Sequence, residues 1–360
     1  MHTTPLSLCI QIGPCIAGST YAVRATTVHA QLHTELSLPE QLVLRSEQLL
    51  QPEVSLSITD PVSIGHQIGQ SLFVSPLRDL LLRTARAAAA QATYVQIQFQ
   101  IDVPELIALP WEWLMLGDER KWLPALRDDY TLVRSIPTTH TCEPLVLDGP
   151  LQVLAVAACG EETQLIDLNT ALSDAIRSGY VNLRLMRDIE PDALEAVLKS
   201  EPVHVLYCAA PIEFSHEGLP FLAVGHGIAF SPLMRMLHCA GLLRLVTFAS
   251  VGEDVGRITA APLILAAMLT GSGIPASITS GIGLPPPLAA QFAAVCYEQL
   301  AMAIPTDRAV SAGRRVLITN DAPSGLPQLM LLSGHEQLFI RPEPQQTTGW
   351  FTSLLQKVRF

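Results

Sequence analysis

The feature that most constrains this chain is a stretch, residues 258–297, that contains no charged side chain. Such a segment is buried in a protein core or in a bilayer. Glycine and proline cut it into pieces shorter than the roughly 20 apolar residues of a spanning helix; the dividing residues are Gly271, Gly273, Pro275, Gly281 and the run 285–287. The stretch therefore predicts a buried helix, a buried strand, a turn and a second helix, with no membrane span.

The same alternation of apolar strands and helices runs from residue 151 to residue 318. With 49% apolar and only 15% charged residues, the chain can cover both faces of a sheet. Nearly uncharged strands between helices are typical of a mostly parallel sheet with helices on both faces. The pattern predicts strands at 151–158, 181–186, 203–209, 243–249 and 274–279, a hairpin at 219–230, and helices at 163–178, 191–199, 231–238, 259–270, 288–303 and 306–318.

The residues before 140 follow a different pattern, in which apolar and polar residues alternate. This predicts strands with one solvent-facing side at 6–12, 21–27, 28–36 and 94–101, short strands at 122–124 and 130–134, and helices at 39–50, 62–90 and 104–116. A loop rich in threonine and proline follows at 137–150. We therefore expect an α+β N-terminal region, residues 1–140, and an α/β domain, residues 141–342.

Residues 343–360 form a third unit, a polar linker followed by apolar residues at helical spacing. The pattern predicts a short amphipathic helix that anchors the C-terminus. Its apolar residues include Trp350, Phe351, Leu354, Leu355 and Val358. Three placements stay open: against the chain's own core, in a groove of a partner protein, or on a membrane surface.

Charge and cysteine content exclude several functions. The net charge of -11, with no basic run, argues against nucleic-acid binding, which needs Lys and Arg to neutralise phosphates. The seven cysteines include no CxxC pair, so we expect free, buried thiols in a reducing cytosol, as at Cys159 and Cys208. Neither metal-ligand spacing nor a phosphate-binding loop occurs, so no metal, cofactor or nucleotide is predicted. The N-terminus lacks signal-peptide features, which predicts a cytoplasmic protein.

Several short motifs follow one another in a recognisable order. They are Pro110-Trp111-Glu112, Trp122-Leu123-Pro124-Ala125-Leu126, Leu132-Val133-Arg134, His204-Val205-Leu206-Tyr207, Leu243-Arg244-Leu245-Val246, Gly273-Ile274-Pro275-Ala276 and Ala309-Val310 with Arg314-Arg315. Together they make the chain resemble the CHAT family, which are caspase-like relatives of clan CD cysteine peptidases and are common in bacteria. The resemblance spans most of residues 80–340 and implies a caspase-like, doubly wound α/β fold.

The resemblance also implies where catalytic residues would lie. The family's histidine follows the strand that starts at His204, and its cysteine follows the strand that starts at Leu243. Aligned without gaps, these positions are Pro211 and Val251. Peptide hydrolysis by this class needs a thiolate and an imidazole that act together. Proline has no titratable group and valine no nucleophilic atom, so the resemblance implies the fold of a cysteine endopeptidase without its activity.

A relocated catalytic pair is the alternative. Cys208 lies three residues before Pro211, His216 follows it, and Ser250 adjoins the expected nucleophile position. An active hydrolase could use Ser250 or Cys208 with His216, because such groups are defined by geometry and not by chain order. The structural interpretation is that Cys208 fills a core, Ser250 bonds a turn and His216 lies in a solvated loop.

Two further features are candidates for partner binding. Glu253 and Asp254 could grip an arginine or lysine of a partner, or could favour a helix N-terminus. Trp111 and Trp113 could anchor a partner, or could pack the N-terminal sheet onto the core.

Sites in parallel sheets lie at the carboxyl ends of the strands, here near residues 159, 208–211, 249–252 and 280–281. We therefore expect a catalytically inactive protein that binds other proteins. The resemblance implies a scaffold, sensor or regulatory subunit of a bacterial defence or cell-death system, with an active protease or effector as partner. The predicted partner-binding groove consists of Pro211, Ser250, Val251, Glu253 and Asp254.

Overall fold

The computed structural model describes residues 4–50, 61–117, 123–138, 142–249, 260–280, 284–318 and 326–342. Its strands are β1 (Leu6–Ala17), β2 (Thr20–Thr26), β3 (Gln31–Ser37), β4 (Val95–Ile101), β5 (Tyr130–Ile136), β6 (Leu145–Val146), β7 (Leu151–Ala157), β8 (Val181–Met186), β9 (Val205–Ala209), β10 (Ile212–Phe214), β11 (Pro220–Leu222), β12 (Ile228–Ala229), β13 (Leu245–Phe248), β14 (Ala276–Thr279), β15 (Gln328–Leu332) and β16 (Phe339–Ile340). Its helices are α1 (Glu40–Leu49), α2 (Pro61–Leu72), α3 (Ser75–Ala90), α4 (Pro104–Ile107), α5 (Glu162–Ala171), α6 (Ser173–Arg177), α7 (Pro191–Ser200), α8 (Phe230–Cys239), α9 (Ala261–Gly271), α10 (Pro286–Ala301) and α11 (Thr306–Ile318).

Eleven of the described strands form one sheet, in the order β3-β2-β1-β4-β5-β15-β14-β13-β9-β7-β8. Seven of its ten strand pairs are parallel, and the antiparallel pairs are β1–β2, β2–β3 and β14–β15. The predicted α/β fold with a mostly parallel sheet is therefore confirmed. The β14–β15 pair separates two parallel blocks that run in opposite directions, so β7, β8, β9, β13 and β14 all end at the same edge.

Helices cover both faces of the block that contains β9. On one face, α5, α10 and α11 pack over Val205, Tyr207 and Ala209 of this strand. On the other face, α7, α8 and α9 pack over Leu206 and Cys208. Every residue of β9 is buried, which explains its continuous apolar sequence. A separate core lies between β1, β2 and β4 and the helices α2 and α3.

The uncharged stretch forms α9, β14 and most of α10, so the predicted helix, strand and second helix are confirmed. Ala276 and Ile278 in β14 have no exposed surface, as expected of an inner strand. Across the described ranges, no helix combines the length and apolar character that crossing a bilayer requires.

The helix predicted at 104–116 is wrong in extent. It ends at Ile107 after one turn, and a 3₁₀ turn follows at Trp111–Trp113. Pro110 is the cause, because proline donates no backbone hydrogen bond and disfavours helical geometry in the residue before it. The strand predicted at 122–124 is also wrong at its described end, since Pro124 begins a 3₁₀ turn.

Four strands, β6, β10, β15 and β16, were not predicted from the sequence. Of these, β15 has the largest structural role, because it lies between β14 and β5 and joins the two blocks. The patterns at 62–90 and 163–178 each form two helices instead of one. The predicted units 1–140 and 141–342 contribute strands to the same sheet, and their division into domains stays a prediction.

The tryptophan-rich turn is part of the core. Trp111 is 0% exposed and Trp113 is 3% exposed. The Arg134 guanidinium donates two hydrogen bonds to the carboxylate of Glu112, with N–O distances of 2.9 and 2.8 Å. The packing interpretation of these tryptophans is therefore confirmed, and the partner-anchor interpretation is not.

Candidate functional site

The candidate site lies at the edge where β7, β9, β13 and β14 end. Phe248 at the end of β13 lies opposite Cys208 of β9. The Ala249 N–H donates to the Cys208 carbonyl, and the Ser280 N–H donates to the Phe248 carbonyl, both at 2.9 Å. The Ser280 hydroxyl also donates to the Phe248 carbonyl, at 3.0 Å. Regular hydrogen bonding thus extends past the strands and aligns their ends in one row.

Pro211 lies two residues beyond β9 in this row and is half-buried. Its carbonyl oxygen accepts a hydrogen bond of 2.8 Å from the Ala223 N–H, which joins the segment before β10 to the segment after β11. The proline ring offers no atom that could transfer a proton. At this position the chain therefore has a turn residue that orients β10, and no imidazole.

Cys208 points into the core between the sheet and α7, α8 and α9, with 1% of its surface exposed. Burial raises the pKa of its thiol to about 12. A thiol with that pKa stays protonated at neutral pH, and only the thiolate is strongly nucleophilic. Cys208 is thus the buried free thiol that the sequence predicted, and it is poorly suited to act as a nucleophile.

His216 lies in the exposed turn between β10 and β11. The turn is closed by hydrogen bonds of 2.9 Å from the Ser215 N–H to the Leu219 carbonyl and from the Gly218 N–H to the Ser215 carbonyl. Among the described residues, none forms a hydrogen bond with the His216 imidazole. The solvated-loop interpretation is confirmed, and no described side chain orients this ring as a general base requires.

The remaining predicted site residues lie outside the described residues. Around the expected nucleophile position these are Ser250, Val251, Glu253 and Asp254. In the C-terminal anchor they are Trp350, Phe351, Leu354, Leu355 and Val358. Their roles stay predictions.

A cluster that the sequence analysis did not predict occupies the same edge, beyond the ends of β7 and β8. One donor atom each of Cys159, Glu162 and Asp188 lies within 4.8 Å of the others, a spacing that a metal ion could bridge. The expectation that Cys159 is buried is wrong, because it lies in the exposed turn after β7. In the sequence, this cluster could have been located from the position of Cys159 just after β7 and of Asp188 just after β8, because neighbouring parallel strands end side by side. The spacing and the types of the three residues would not have been enough.

Electrostatics in this cluster keep the thiol protonated. The charge of Asp188, and then that of Glu162, raises the pKa of Cys159. Hydrogen bonds from the backbone N–H groups of Glu162 and Gly160 lower the pKa of the Glu162 carboxyl. The cluster therefore concentrates negative charge around a neutral thiol, which disfavours a thiolate nucleophile here.

Known proteins resemble this chain at the level of a family model and of solved structures. A family model described as "CHAT domain" matches residues 63–354. A comparison with curated proteins found no match. Two crystal structures of the Saccharomyces cerevisiae separase–securin complex, at 2.6 and 3.0 Å resolution, are similar to the chain at 10% and 11% identity, each with a TM-score of 0.47. The similarity covers 91% of this chain, which spans 30% of the length of the separase chain.

Proposed function

The chain belongs to the CHAT domain family, and on that premise we propose that it is a catalytically inactive member that binds other proteins. The observation that carries the proposal is Pro211 at the carboxyl end of β9, where the resemblance expects the catalytic histidine. Without an imidazole at this position, the described part of the site lacks the group that activates a thiol and protonates the leaving amine. Because such pairs act as a unit, loss of one member removes orders of magnitude in rate.

Two observations argue against a relocated nucleophile. Cys208 is buried in the core and its pKa is raised to about 12, so it has almost no thiolate at neutral pH. His216 lies in an exposed turn, and nothing in the described part of the chain holds its ring. Ser250 remains the open candidate for the alternative, an active hydrolase, and is therefore included in the tests.

We further propose that the edge at the strand ends receives a segment of a partner protein. This edge is where sheets of this type bind ligands. The half-buried Pro211 there offers only an apolar ring, so backbone groups and shape are left to recognise an extended peptide. Glu253 and Asp254 would hold a basic side chain of the partner. The resulting role is that of a scaffold, sensor or regulatory subunit in a cytoplasmic bacterial defence or cell-death system, beside an active protease or effector.

Incubation of the purified chain with a broad peptide library, read by mass spectrometry, tests the catalytic part of this proposal. We expect no cleavage above background. Cleavage that is lost in Ser250→Ala or His216→Ala, but retained in the matched variant His226→Ala, would establish the hydrolase instead.

Active-site probes provide a second test of the same point. Under native conditions, iodoacetamide should modify the exposed Cys15 and Cys239 well before the buried Cys208. A fluorophosphonate should label no serine. Preferential labelling of Cys208 or Ser250 contradicts catalytic inactivity.

Peptide display on the full chain tests the binding part. We expect selected peptides to carry an arginine or lysine and to lose about tenfold or more in affinity to the variant Glu253→Gln/Asp254→Asn, since two charge-assisted contacts are removed. Glu217→Gln, which neutralises an exposed acid in the turn between β10 and β11, is the matched control. Equal affinity of the selected peptides for both variants would contradict the proposed role of Glu253 and Asp254 in this groove.

A further inference from the structure

The outermost of the described strands in the sheet, β3, has a regular edge. It pairs with β2 through seven consecutive residue pairs without a register shift, and no described strand lies on its other side. Natural proteins protect edge strands with charged side chains, most often lysine, with proline or with a bulge. The strand β3, from Gln31 to Ser37, has no lysine, proline or bulge, and Glu35 is its single charged residue.

The hydrogen-bond phase identifies which backbone groups face outward. The Thr27 N–H donates to the Ala30 carbonyl at 2.8 Å, and the Leu38 N–H donates to the Ser19 carbonyl at 3.0 Å. Since antiparallel pairs alternate between hydrogen-bonded and non-hydrogen-bonded, every second residue of β3 directs its N–H and C=O away from β2. These residues are Gln31, His33, Glu35 and Ser37.

A groove of about 420 Å³ runs between this edge and helix α3. Gln31 and Leu32 line it on the strand side. On the helix side its wall includes Leu82, which is 42% exposed, and the exposed Arg83 and Arg86. A strand added to β3 would place alternate side chains over this groove, because side chains alternate between the faces of a sheet.

The charge of the groove indicates which peptide it fits. The chain as a whole carries a net charge of -11 and repels acidic segments, so a local group of positive charges is needed to attract one. Arg83 and Arg86 lie one helical turn apart, and neither forms an ion pair with a described carboxylate. Asp79 on the same wall offsets one of these two charges. An acidic side chain next to an apolar one would therefore be attracted here.

We propose that the edge of β3 binds an extended segment of a partner protein as an additional strand. The outward N–H and C=O groups of β3 supply the main-chain hydrogen bonds. An apolar side chain of the segment packs between Leu32 and Leu82, and a carboxylate of the segment pairs with Arg83 and Arg86. This surface lies at the opposite end of the sheet from the strands that carry the candidate site, and its function does not depend on whether that site is active.

Selection of a displayed library of random ten-residue peptides against the full chain carrying Glu253→Gln/Asp254→Asn, which removes the preference for basic peptides proposed for the other groove, tests this inference. We expect the selected peptides to be enriched in β-branched residues at alternating positions and in aspartate or glutamate. The variant His33→Pro removes an outward N–H without removing a hydrogen bond to β2, and proline is tolerated at sheet edges. Affinity for selected peptides should fall by about tenfold or more in this variant. His33→Ala, which keeps the N–H, should bind as the wild type does.

A second variant keeps the test valid if His33→Pro unfolds the chain. Arg83→Glu/Arg86→Glu should also weaken binding by about tenfold or more, since attraction becomes repulsion, whereas Arg78→Glu on the same helix should not. Two results would overturn the inference. One is that the selected peptides show no acidic enrichment. The other is that their affinity for His33→Pro and for Arg83→Glu/Arg86→Glu equals their affinity for the wild type. A dimer of the chain that His33→Pro dissociates would overturn it too, because a second copy would then occupy the edge.

Discussion

At the scale of single residues, the buried ion pair of Arg134 and Glu112 explains why the motifs Pro110-Trp111-Glu112 and Leu132-Val133-Arg134 occur together in this sequence. Arg134 is 2% exposed and Glu112 is 1% exposed. The Arg134 guanidinium also donates to the carbonyls of Ile107 and Leu109, at 2.5 and 2.9 Å. The charged residues of two separate motifs therefore satisfy one another, and Arg134 fixes the segment that Pro110 prevents from being helical.

Removal of one partner of this pair should destabilise the chain strongly. We expect Glu112→Ala to lower the free energy of unfolding by about 3–5 kcal/mol, because Arg134 keeps a buried charge without a counter-ion. Urea denaturation followed by circular dichroism measures the loss. The exposed pair Lys199–Glu195, one turn apart on α7, is the control, and Lys199→Ala should cost at most about 0.5 kcal/mol. Similar losses in both variants would contradict a structural role for the buried pair.

His204 should make the stability of the chain depend on pH. Burial, and then the charge of Arg244, lowers its pKa to about 4. Its Nδ1 accepts a hydrogen bond of 3.1 Å from the Gln152 N–H, which requires the neutral ring. The unfolded chain, with a histidine pKa near 6.5, binds the proton more readily than the folded chain between about pH 4 and 6.5. Stability from this group is therefore full above that range and falls as the pH drops, by up to about 1.4 kcal/mol per pH unit.

The variant His204→Asn separates this contribution from other titrations. Asparagine keeps an acceptor for the Gln152 N–H but does not titrate, so the fall in unfolding free energy between pH 6.5 and 4.5 should be shallower than in the wild type. The exposed His29 is the control, and the slope in His204→Asn should be shallower than the slope in His29→Asn. An unchanged slope in His204→Asn would assign the acid sensitivity to other groups.

At the scale of elements, the position of α2 depends on two glycines. A Cβ atom at Gly65 would lie 1.8 Å from the carbonyl oxygen of Trp113, and a Cβ at Gly69 would lie 1.9 Å from that of Met115. The Met115 N–H donates to the Gly65 carbonyl at 3.2 Å. The segment after the tryptophan-rich turn thus runs directly against the backbone of α2, an approach that only glycine permits.

We expect Gly69→Ala to destabilise the chain by about 1–3 kcal/mol, although alanine favours a helix over glycine by about 1 kcal/mol. The reason is that the Met115 backbone must move to admit the methyl group. The melting temperature and urea midpoint measure the effect. Gly149→Ala, where the added methyl meets no atom within 4 Å, should change stability by less than about 0.5 kcal/mol. A more stable Gly69→Ala would show that helix propensity outweighs the contact.

At the scale of the whole molecule, the two halves of the sequence share buried polar contacts as well as one sheet. The Asp307 carboxylate in α11 accepts hydrogen bonds of 2.8 Å from Gln96 Nε2 and from Thr131 Oγ1. Arg314, 0% exposed on the same helix, donates to the Leu132 carbonyl at 3.0 Å. The N-terminal strands β4 and β5 thus depend on a helix that follows them by more than 160 residues.

A fragment of residues 1–140 should therefore not fold on its own. It lacks β15, which pairs with β5, and it lacks the partners of Gln96 and Thr131. We expect little cooperative unfolding in urea and rapid amide hydrogen exchange in β5. Co-expression with residues 141–360 should restore both. A cooperative transition of the fragment alone would instead support the predicted boundary near residue 140 as that of an independently folding domain.

The sequence alone identified most strands and helices, because burial of one or both faces leaves a periodic local pattern. The uncharged run around β14 and the alternation in β4 show this directly. The order of short motifs also identified the family. It predicted Pro211 at the end of β9, since aligning a strand also determines which residue lies just past its carboxyl end. Cys208 was assigned to the core for a related reason, as each residue of an inner strand must be buried.

Only the tertiary structure revealed the features that depend on residues far apart in the chain. The central place of β15, the pairing of Glu112 with Arg134, the close approach of Gly69 to Met115 and the exposure of Cys159 leave no local pattern. Each depends on which segments become neighbours when the sheet closes over its cores. The total burial and hydrogen bonding of the folded chain determine which segments become neighbours, and no short stretch of sequence contains this information.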